Sequence, residues 1–348
     1  MGEVQLRGRN GGQAPGDARL QRRKRARTAA AFVLTFAMLV ALFFFAANTG
    51  TLQVSASELF KGLFIEYDQN VSTIFDLRFP RIVVSVVAGA AIAVSGVLFQ
   101  AVLKNPLADP GIIGISSGAS FSAVLVVAFL PQLYLFSPLF ACFGGLAAFA
   151  IVYSLSWKGG LSPLRIILVG VAVAAMFTGL SSAFGSASGS SSSVSSIVEG
   201  SITMKTWTDA GTLAPYALVG LVLAFLVARQ CNLLQLEDKT ARGLGVDVNG
   251  IRILVSCIAV VLASISTAVV GAISFLGLIV PHIGRILVGS DHKLLVPYAM
   301  ILGALVFLGA DTIGRCIMAP AEISAAIVMS VIGGPFFILL LRRSKRYA

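Results

Sequence analysis

Apolar segments about twenty residues long recur along the 348-residue chain, and its charged residues concentrate in the gaps between them. Segments of that length can cross a bilayer as α-helices. They are continuously apolar rather than alternating with period two, which argues against a β-barrel. We therefore predict an all-α polytopic membrane protein of about ten transmembrane helices, at residues 29–47, 82–103, 112–130, 138–156, 163–184, 212–228, 252–270, 274–289, 294–311 and 323–341.

The composition supports this assignment, since 57% of the residues are hydrophobic and only 12% are charged, with a mean hydropathy of +0.92. The net charge of +11 reflects in part a basic tail, residues 1–28, ahead of the ten-helix domain, residues 29–348. The tail is rich in Gly, Gln, Pro and Arg, so we expect it to be disordered and to contact anionic membrane lipid. It has neither a folded reader nor interleaved aromatic residues, so nucleic-acid binding is not expected.

The distribution of Lys and Arg predicts the orientation of the chain. With ten crossings, 21 of the 26 basic residues fall on the side of the N-terminus and five on the other side. Basic residues accumulate on the cytoplasmic side of membrane proteins. We therefore predict a multi-pass protein of the cytoplasmic membrane with both termini in the cytoplasm.

A compact polar turn separates the second and third predicted helices. Pro106 and Pro110 lack backbone donors and disfavour helix at the residues before them. Asn105, Asp109 and Gly111 are typical turn residues. These five residues predict a stiff structural turn at the tip of a membrane hairpin.

Residues 181–201 are too polar to face lipid and too poor in charge for an ordinary surface loop. One interpretation is a hydroxyl-lined outer vestibule or gate, where a broken helix is tolerated because it faces water or protein. The other is a flexible Gly/Ser linker. The candidate pathway and gate residues are Ser181, Ser182, Ser186, Ser188 and Ser190.

The largest cytoplasmic gap is residues 229–250, which are too few for a domain and many for a turn. Leu233, Leu236, Ala241 and Leu244 fall within one arc of a helical wheel, which predicts an amphipathic surface helix. Such a helix either docks a cytoplasmic partner or lies on lipid.

Several kinds of site are not expected. No nucleotide phosphate loop, nucleophile elbow or HExxH motif occurs, so we expect no catalytic residue, and any ATP must be hydrolysed by another polypeptide. No carboxylate pair or Asp/Glu/His relay occupies a helix centre, which argues against a secondary transporter. His282 and His292 have no clustered partner, and no metal or disulfide site is expected from the scattered cysteines, Cys142, Cys231, Cys257 and Cys316.

Five separated motifs resemble the FecCD family of ABC transporter permeases, which import iron chelates and cobalamin. They are LRFPR at 77–81, KNPLADPGIIGISSGAS at 104–120, SFLGLIVPHIGRILVGSDHK at 274–293, GADTIGR at 309–315 and APAEISAAIVMSVIGGPFFILLLRR at 319–343. The loop LLQLEDKTARGLGV at 233–246 is similar to the cytoplasmic loop of that family. The resemblance covers the chain from about residue 30 onward, which leaves only the basic tail outside it.

The resemblance implies a ten-helix subunit that forms a dimer with an identical or paralogous permease around a central pathway. Two ABC ATPase subunits are expected beneath the dimer and an extracytoplasmic solute-binding protein outside it. The chain itself would be no enzyme and would bind no cofactor, since the ATPase subunits use the ATP.

The resemblance also implies roles for particular residues. Arg78, Arg81 and Arg315 match outward arginines that meet acidic residues on the binding protein, a pairing that suits guanidinium groups. Without the resemblance, anchoring at the membrane interface would explain Arg78 and Arg81. The fifth and tenth helices would line the pathway, with residues 181–201 in the outer gate. Coupling to the ATPase would fall on Leu236, Glu237, Thr240, Ala241, Arg242, Gly243, Leu244 and Gly245.

We therefore expect the permease subunit of a binding-protein-dependent ABC importer that carries a ferric siderophore. A pathway of Ser, Gly and aliphatic groups suits a bulky chelate better than a bare cation, which needs oxygen ligands. The same machine carrying haem or cobalamin is the alternative. A stand-alone channel or facilitator is the alternative of another class, and a non-transport scaffold is disfavoured because the vestibule and loop would then lack a purpose.

Overall fold

A computed structural model describes residues 15–48, 69–156, 163–187, 192–318 and 321–344, and all of the regular secondary structure in these residues is helical. A short 3₁₀ helix spans Pro131–Phe136. The α-helices, numbered in chain order, are α1 (Pro15–Asn48), α2 (Gln69–Leu77), α3 (Phe79–Leu103), α4 (Ile115–Phe129), α5 (Ser137–Ser156), α6 (Pro163–Ala187), α7 (Ser192–Glu199), α8 (Trp207–Leu226), α9 (Ala228–Leu234), α10 (Asp238–Gly243), α11 (Val248–Val270), α12 (Leu276–Val288), α13 (His292–Ile317) and α14 (Ala325–Ser344).

The ten apolar segments of the sequence are all helical. Seven helical stretches of the described residues are long and apolar enough to cross a membrane, and three shorter apolar helices, α4, α12 and α14, accompany them. The break between the seventh and eighth segments falls at Gly271, which ends α11 with a φ of 76°. The predicted all-α polytopic fold is confirmed.

Two local predictions differ from the structure. Helix α1 extends back to Pro15, so residues 15–28 are helical rather than disordered. Residues 1–14 of the basic tail lie outside the described residues. The single amphipathic helix predicted within residues 229–250 is instead two short helices, α9 and α10, with an irregular connection between them.

Helix α3 forms the centre of the bundle and packs against α8, α11, α12 and α13. Small residues on α3 allow these close approaches. A Cβ atom at Gly89 would lie 2.6 Å from the carbonyl oxygen of Gly303 on α13, and one at Gly96 would overlap the backbone of Gly277 on α12. Ser95 adds a hydrogen bond from its hydroxyl to the carbonyl oxygen of Ala259, at 2.7 Å.

The outer helices expose large apolar side chains, as expected of helices that face lipid rather than water. Val33 and Phe36 on α1, Leu218 and Val219 on α8 and Leu339 on α14 are all exposed. In a soluble protein an apolar surface this extensive would be unusual. The exposed faces and the apolar helices together identify a membrane-embedded protein.

The two ends of α3 define the two ends of the bundle. Its 25 residues span roughly 37 Å, enough to cross the hydrocarbon core. Arg81 lies in its first turn and Lys104 follows its last residue. We call these the arginine end, which also holds Arg78 and Arg315, and the loop end, which holds residues 229–250.

Candidate functional site

The arginine end contains a cluster of charged side chains, which we call the arginine cluster: Arg78, Arg81, Asp311, Arg315 and Glu322. Arg81 binds Asp311 through Nη2–Oδ1 at 2.7 Å, and its Nε lies 3.1 Å from both carboxylate oxygens. Its remaining nitrogen, Nη1, donates to Glu322 Oε2 at 2.8 Å. Arg81 therefore holds two carboxylates at once, one of them through the paired contacts that guanidinium geometry favours.

Burial makes the pair at the centre of this cluster strong. The side chain of Asp311 is 0% exposed and that of Arg81 is 9% exposed. Arg315, one turn further along α13, places its Nε 3.5 Å from Asp311 Oδ2. One buried carboxylate thus faces two guanidinium groups, and removal of it would leave both charges without their nearest counter-charge.

The cluster also ties α1 to α3 and α13. Arg78 Nη1 donates to the carbonyl oxygen of Ala47 at 2.6 Å, and Arg315 Nη1 donates to that of Ala46 at 3.3 Å. Both carbonyl groups belong to the last turn of α1, where helix carbonyls lack intrahelical partners. The two arginines therefore supply hydrogen-bond donors to the last carbonyl groups of α1, a helix at the periphery of the bundle.

Glu322 connects the cluster to the segment between α7 and α8. Its Oε2 accepts a hydrogen bond from the hydroxyl of Thr203 at 2.9 Å as well as from Arg81. Partial burial opposes ionisation of Glu322, but the Arg81 hydrogen bond and the charges of Arg81 and Arg315 outweigh it and hold the pKa of this carboxyl below its usual value. Glu322 is therefore an anion at neutral pH.

The structure brings the three predicted docking arginines to one end of the bundle, with Arg81 already paired inside the chain. Their docking role stays a prediction. Their partners Asp311, Glu322 and Thr203 were not predicted from the sequence. The spacing of Asp311 and Arg315, one helical turn apart, was a readable signal of the pairing on α13. Nothing local in the sequence connects Glu322 to Arg81, since 241 residues separate them.

At the loop end, α10 and its flanks form an exposed surface, which we call the coupling surface. Of the eight residues predicted there, only Ala241 is buried, and it packs into the hydrophobic core. The other seven are exposed, among them Leu244, which is 68% exposed, and Leu236. Gly245, with a φ of 77°, turns the chain after Leu244. Leu236 and Leu244 flank α10, and two exposed leucines so placed suit contact with another apolar surface.

Asp238 anchors the coupling surface to the bundle. Its Oδ1 accepts hydrogen bonds from Lys104 Nζ at 2.8 Å and from Arg252 Nη2 at 2.9 Å. Lys104 also donates to the carbonyl oxygen of Leu236 at 2.5 Å. The hydrogen bond from Lys104 is the largest effect and lowers the pKa of Asp238. Slight burial raises the pKa, but the hydrogen bond and the charge of Arg252 lower it further. The coupling surface is thus pinned to the end of α3 and the start of α11.

The predicted structural turn lies between α3 and α4, beside these anchors. Asn105 Oδ1 accepts from the backbone N–H of Leu107 at 3.0 Å, and Asp109 Oδ1 accepts from that of Gly111 at 2.8 Å. Asp109 is fully buried. Burial raises the pKa of Asp109 to about 6, although hydrogen bonds from neighbouring backbone N–H groups favour its charged form. The chain turns here around a carboxyl group removed from water.

The serine-rich segment, residues 181–201, is largely helical. Residues 181–187 are the end of α6, and residues 192–199 form α7. The flexible-linker interpretation therefore does not hold for residues 181–187 and 192–199. Ser181 is buried and its hydroxyl donates to the carbonyl oxygen of Phe177 at 2.9 Å, whereas Ser182 and Ser186 are exposed. Ser188 and Ser190 lie outside the described residues. A role for these hydroxyls in a gate stays a prediction.

A helical membrane bundle with a charged cluster at one end and an exposed, anchored turn at the other suits a transport permease subunit. The FecCD transport family model matches residues 38–343, which is most of the chain. The protein belongs to the FecCD transport family.

Named relatives agree with this assignment. IsdF of Staphylococcus aureus (strain Newman), named as a heme-iron transport system permease protein, is 40% identical over 315 residues, which cover 90% of this chain and 96% of IsdF. The homologous protein of strain MSSA476 carries the same name and is 39% identical over the same length.

Solved structures share the fold. An ABC transporter described as metal-chelate type, in an inward-facing conformation, superposes with a TM-score of 0.75 at 29% identity, covering 90% of this chain and 98% of that one. PsaBC from Streptococcus pneumoniae in complex with Fab gives a TM-score of 0.56 at 17% identity, covering 82% and 95% of the two chains. At that identity PsaBC supports the fold alone.

Proposed function

We propose that this chain is the membrane-spanning subunit of a binding-protein-dependent ABC importer for an iron chelate. The observation that carries the proposal is the family match over residues 38–343, with a charged cluster and a coupling surface at opposite ends of the bundle. In this proposal the arginine end faces outward and receives the loaded binding protein. The loop end faces the cytoplasm and receives the ATPase, and the permease works as a dimer.

The transport cycle has no covalent step in the permease. Inward and outward forms would be favoured differently by the ATP-bound partner and by the loaded binding protein, and those differences in affinity would drive the change. Leu236 and Leu244 would contact the ATPase, and Lys104 and Arg252 would transmit its movement to α3 and α11 through Asp238.

Haem is the cargo that the relatives favour, because IsdF is named as a heme-iron permease. The ferric siderophore expected from the sequence is the second candidate. Reconstituted transporter should hydrolyse ATP faster when its binding protein carries the true cargo. Stimulation by the haem-loaded binding protein and none by the ferric-siderophore-loaded one supports haem, and the reverse result supports the siderophore. Stimulation by neither would contradict both of these cargoes.

Docking at the arginine end is tested best at Arg78. This residue is only half-buried and donates to a backbone carbonyl, so its replacement leaves the buried pair of Arg81 and Asp311 in place. We expect Arg78→Glu to weaken binding of the loaded binding protein about tenfold or more, through like-charge repulsion with its acidic residues. Binding measured on immobilised transporter checks this, with unchanged assembly with the ATPase as the control. Unchanged binding-protein affinity would remove Arg78 from the docking site.

A further inference from the structure

A cavity of about 260 Å³ opens at the loop end, between the end of α3, the end of α9 and the turn that joins α12 to α13. It lies beside the coupling surface but does not include the exposed leucines. Its polar lining consists mainly of Gln100, Lys104, Asn105, Gln235, Arg285 and His292. Among the described residues that line it, none carries a carboxylate.

The cavity carries a surplus of positive charge. Lys104 pairs with Asp238, but that carboxylate is shared with Arg252. None of the ion pairs among the described residues involves Arg285. The nearby Asp291 does not line the cavity and instead caps α13 through its contact with the backbone N–H of Lys293.

The guanidinium of Arg285 is held in place by a neutral group. Its Nη2 donates to Gln100 Oε1, and the amide nitrogen of Gln100 donates to the carbonyl oxygens of Ala108 and Gly277, at 3.3 and 3.1 Å. Gln100 is buried, so its orientation is determined by these partners. The amide thus positions Arg285 without neutralising it.

The opposite wall is also fixed by hydrogen bonds. Gln235 Nε2 donates to the carbonyl oxygen of Ser290 at 2.9 Å and lies 3.0 Å from Nδ1 of His292. The backbone N–H of His292 donates to Asn232 Oδ1 at 2.9 Å. Because these hydrogen bonds already fix the walls, ligand binding would cost little side-chain conformational entropy.

We propose that this cavity binds a phosphate-class oxyanion, with Arg285 as its principal ligand and Lys104 as the second cation. A half-buried charge without a counter-charge is costly, and a guanidinium group presents the paired donors that fit phosphate oxygens. The anion is either free phosphate or the phosphate of an anionic lipid headgroup, since the cavity lies where membrane helices end. Either source supplies the counter-charge that the described residues of this chain do not.

Thermal stability of the purified protein in detergent tests the proposal directly. Inorganic phosphate is titrated against chloride at constant ionic strength and pH. We expect the Tm to rise by about 2–4 °C at phosphate concentrations near ten times the dissociation constant. Arg285→Gln should abolish the rise. Arg229→Gln is the matched control, because Arg229 is an exposed arginine at the same end outside the cavity, and it should respond like the wild type.

A second variant and a lipid arm complete the test. Arg285→Lys keeps the charge but loses the paired donors, so we expect it to reduce the phosphate response. This variant keeps the proposal testable if Arg285→Gln does not fold. Phosphatidylglycerol that raises the Tm and removes the phosphate response, with phosphatidylcholine inactive, identifies a lipid headgroup. A response to phosphate alone identifies the free anion.

Two results would overturn the proposal. The first is a wild-type Tm that responds to neither phosphate nor phosphatidylglycerol, and the second is an Arg285→Gln variant that responds as the wild type does. If the wild type shows no response but Arg285→Gln weakens binding of the ATPase, the cavity takes a protein carboxylate instead of a phosphate-class anion.

Discussion

Asp311 is the residue on which the arginine end depends most, because it is fully buried and faces the guanidinium groups of both Arg81 and Arg315. Asp238 at the loop end also bridges two cations, but its side chain is 36% exposed. Water therefore screens the ion pairs of Asp238 but not those of Asp311. The two carboxylates therefore allow the same substitution to be compared in a buried and an exposed setting.

We expect Asp311→Asn to lower stability strongly, by about 3–5 kcal/mol, because it leaves buried arginines without their counter-charge. Asp238→Asn should have a much smaller effect, about 1 kcal/mol or less. Thermal unfolding of the two variants in the same detergent measures the difference. An Asp311→Asn variant as stable as Asp238→Asn would show that the buried pair contributes no more than a surface pair.

Asp109 should give the protein a pH-dependent stability. Its pKa of about 6 in the folded protein lies above the ordinary value of 3.8, so the folded state binds the proton more tightly than the unfolded state. Stability should therefore rise as the pH falls from above 6 toward 4, by up to about 3 kcal/mol in all and by about half of that at pH 5. The Tm of the wild type relative to Asp109→Asn, measured from pH 7.5 to 5, should increase. A constant difference would mean that Asp109 is ionised in the folded protein throughout this range.

At the scale of elements, the apolar pattern predicted the ten membrane helices because each is a continuous run long enough to cross a bilayer. The pattern could not show that α1 continues through the basic run at residues 22–27, since helix there depends on extension from the apolar part. It also merged α9 and α10, because a helical wheel takes no account of the break after Leu234. Contacts such as Arg81 with Glu322 depend on the assembled bundle.

Close packing of α3 against α12 is an element-scale requirement that one glycine meets. We expect Gly96→Ala to destabilise the protein by about 1–3 kcal/mol, because the added Cβ would overlap the backbone of Gly277. Gly211→Ala on α8 is the matched control, since a Cβ there meets no atom within 4 Å. The control should be neutral or slightly stabilising, because alanine favours helix. Equal Tm values for both variants would contradict the packing argument.

At the scale of the whole molecule, α3 links the two surfaces that the proposed function uses. Arg81 joins its first turn to the arginine cluster, and Lys104 joins its end to Asp238 of the coupling surface. A rigid central helix with a fixed contact at each end can relate events on the two sides of a membrane. The family resemblance in the sequence predicted both surfaces, whereas the internal carboxylates that hold them became visible only in the structure.

We propose that ATP hydrolysed by a partner drives uptake through this chain. The most direct measurement is uptake of labelled iron chelate into proteoliposomes that contain the permease, its ATPase and its binding protein, with and without internal ATP. Leu244→Asp is expected to abolish uptake because it places a charge on the exposed apolar contact of the coupling surface, whereas Asn249→Asp, an exposed substitution nearby, should leave it unchanged. Uptake that proceeds without ATP, and equally in both variants, would contradict the account and indicate a facilitator.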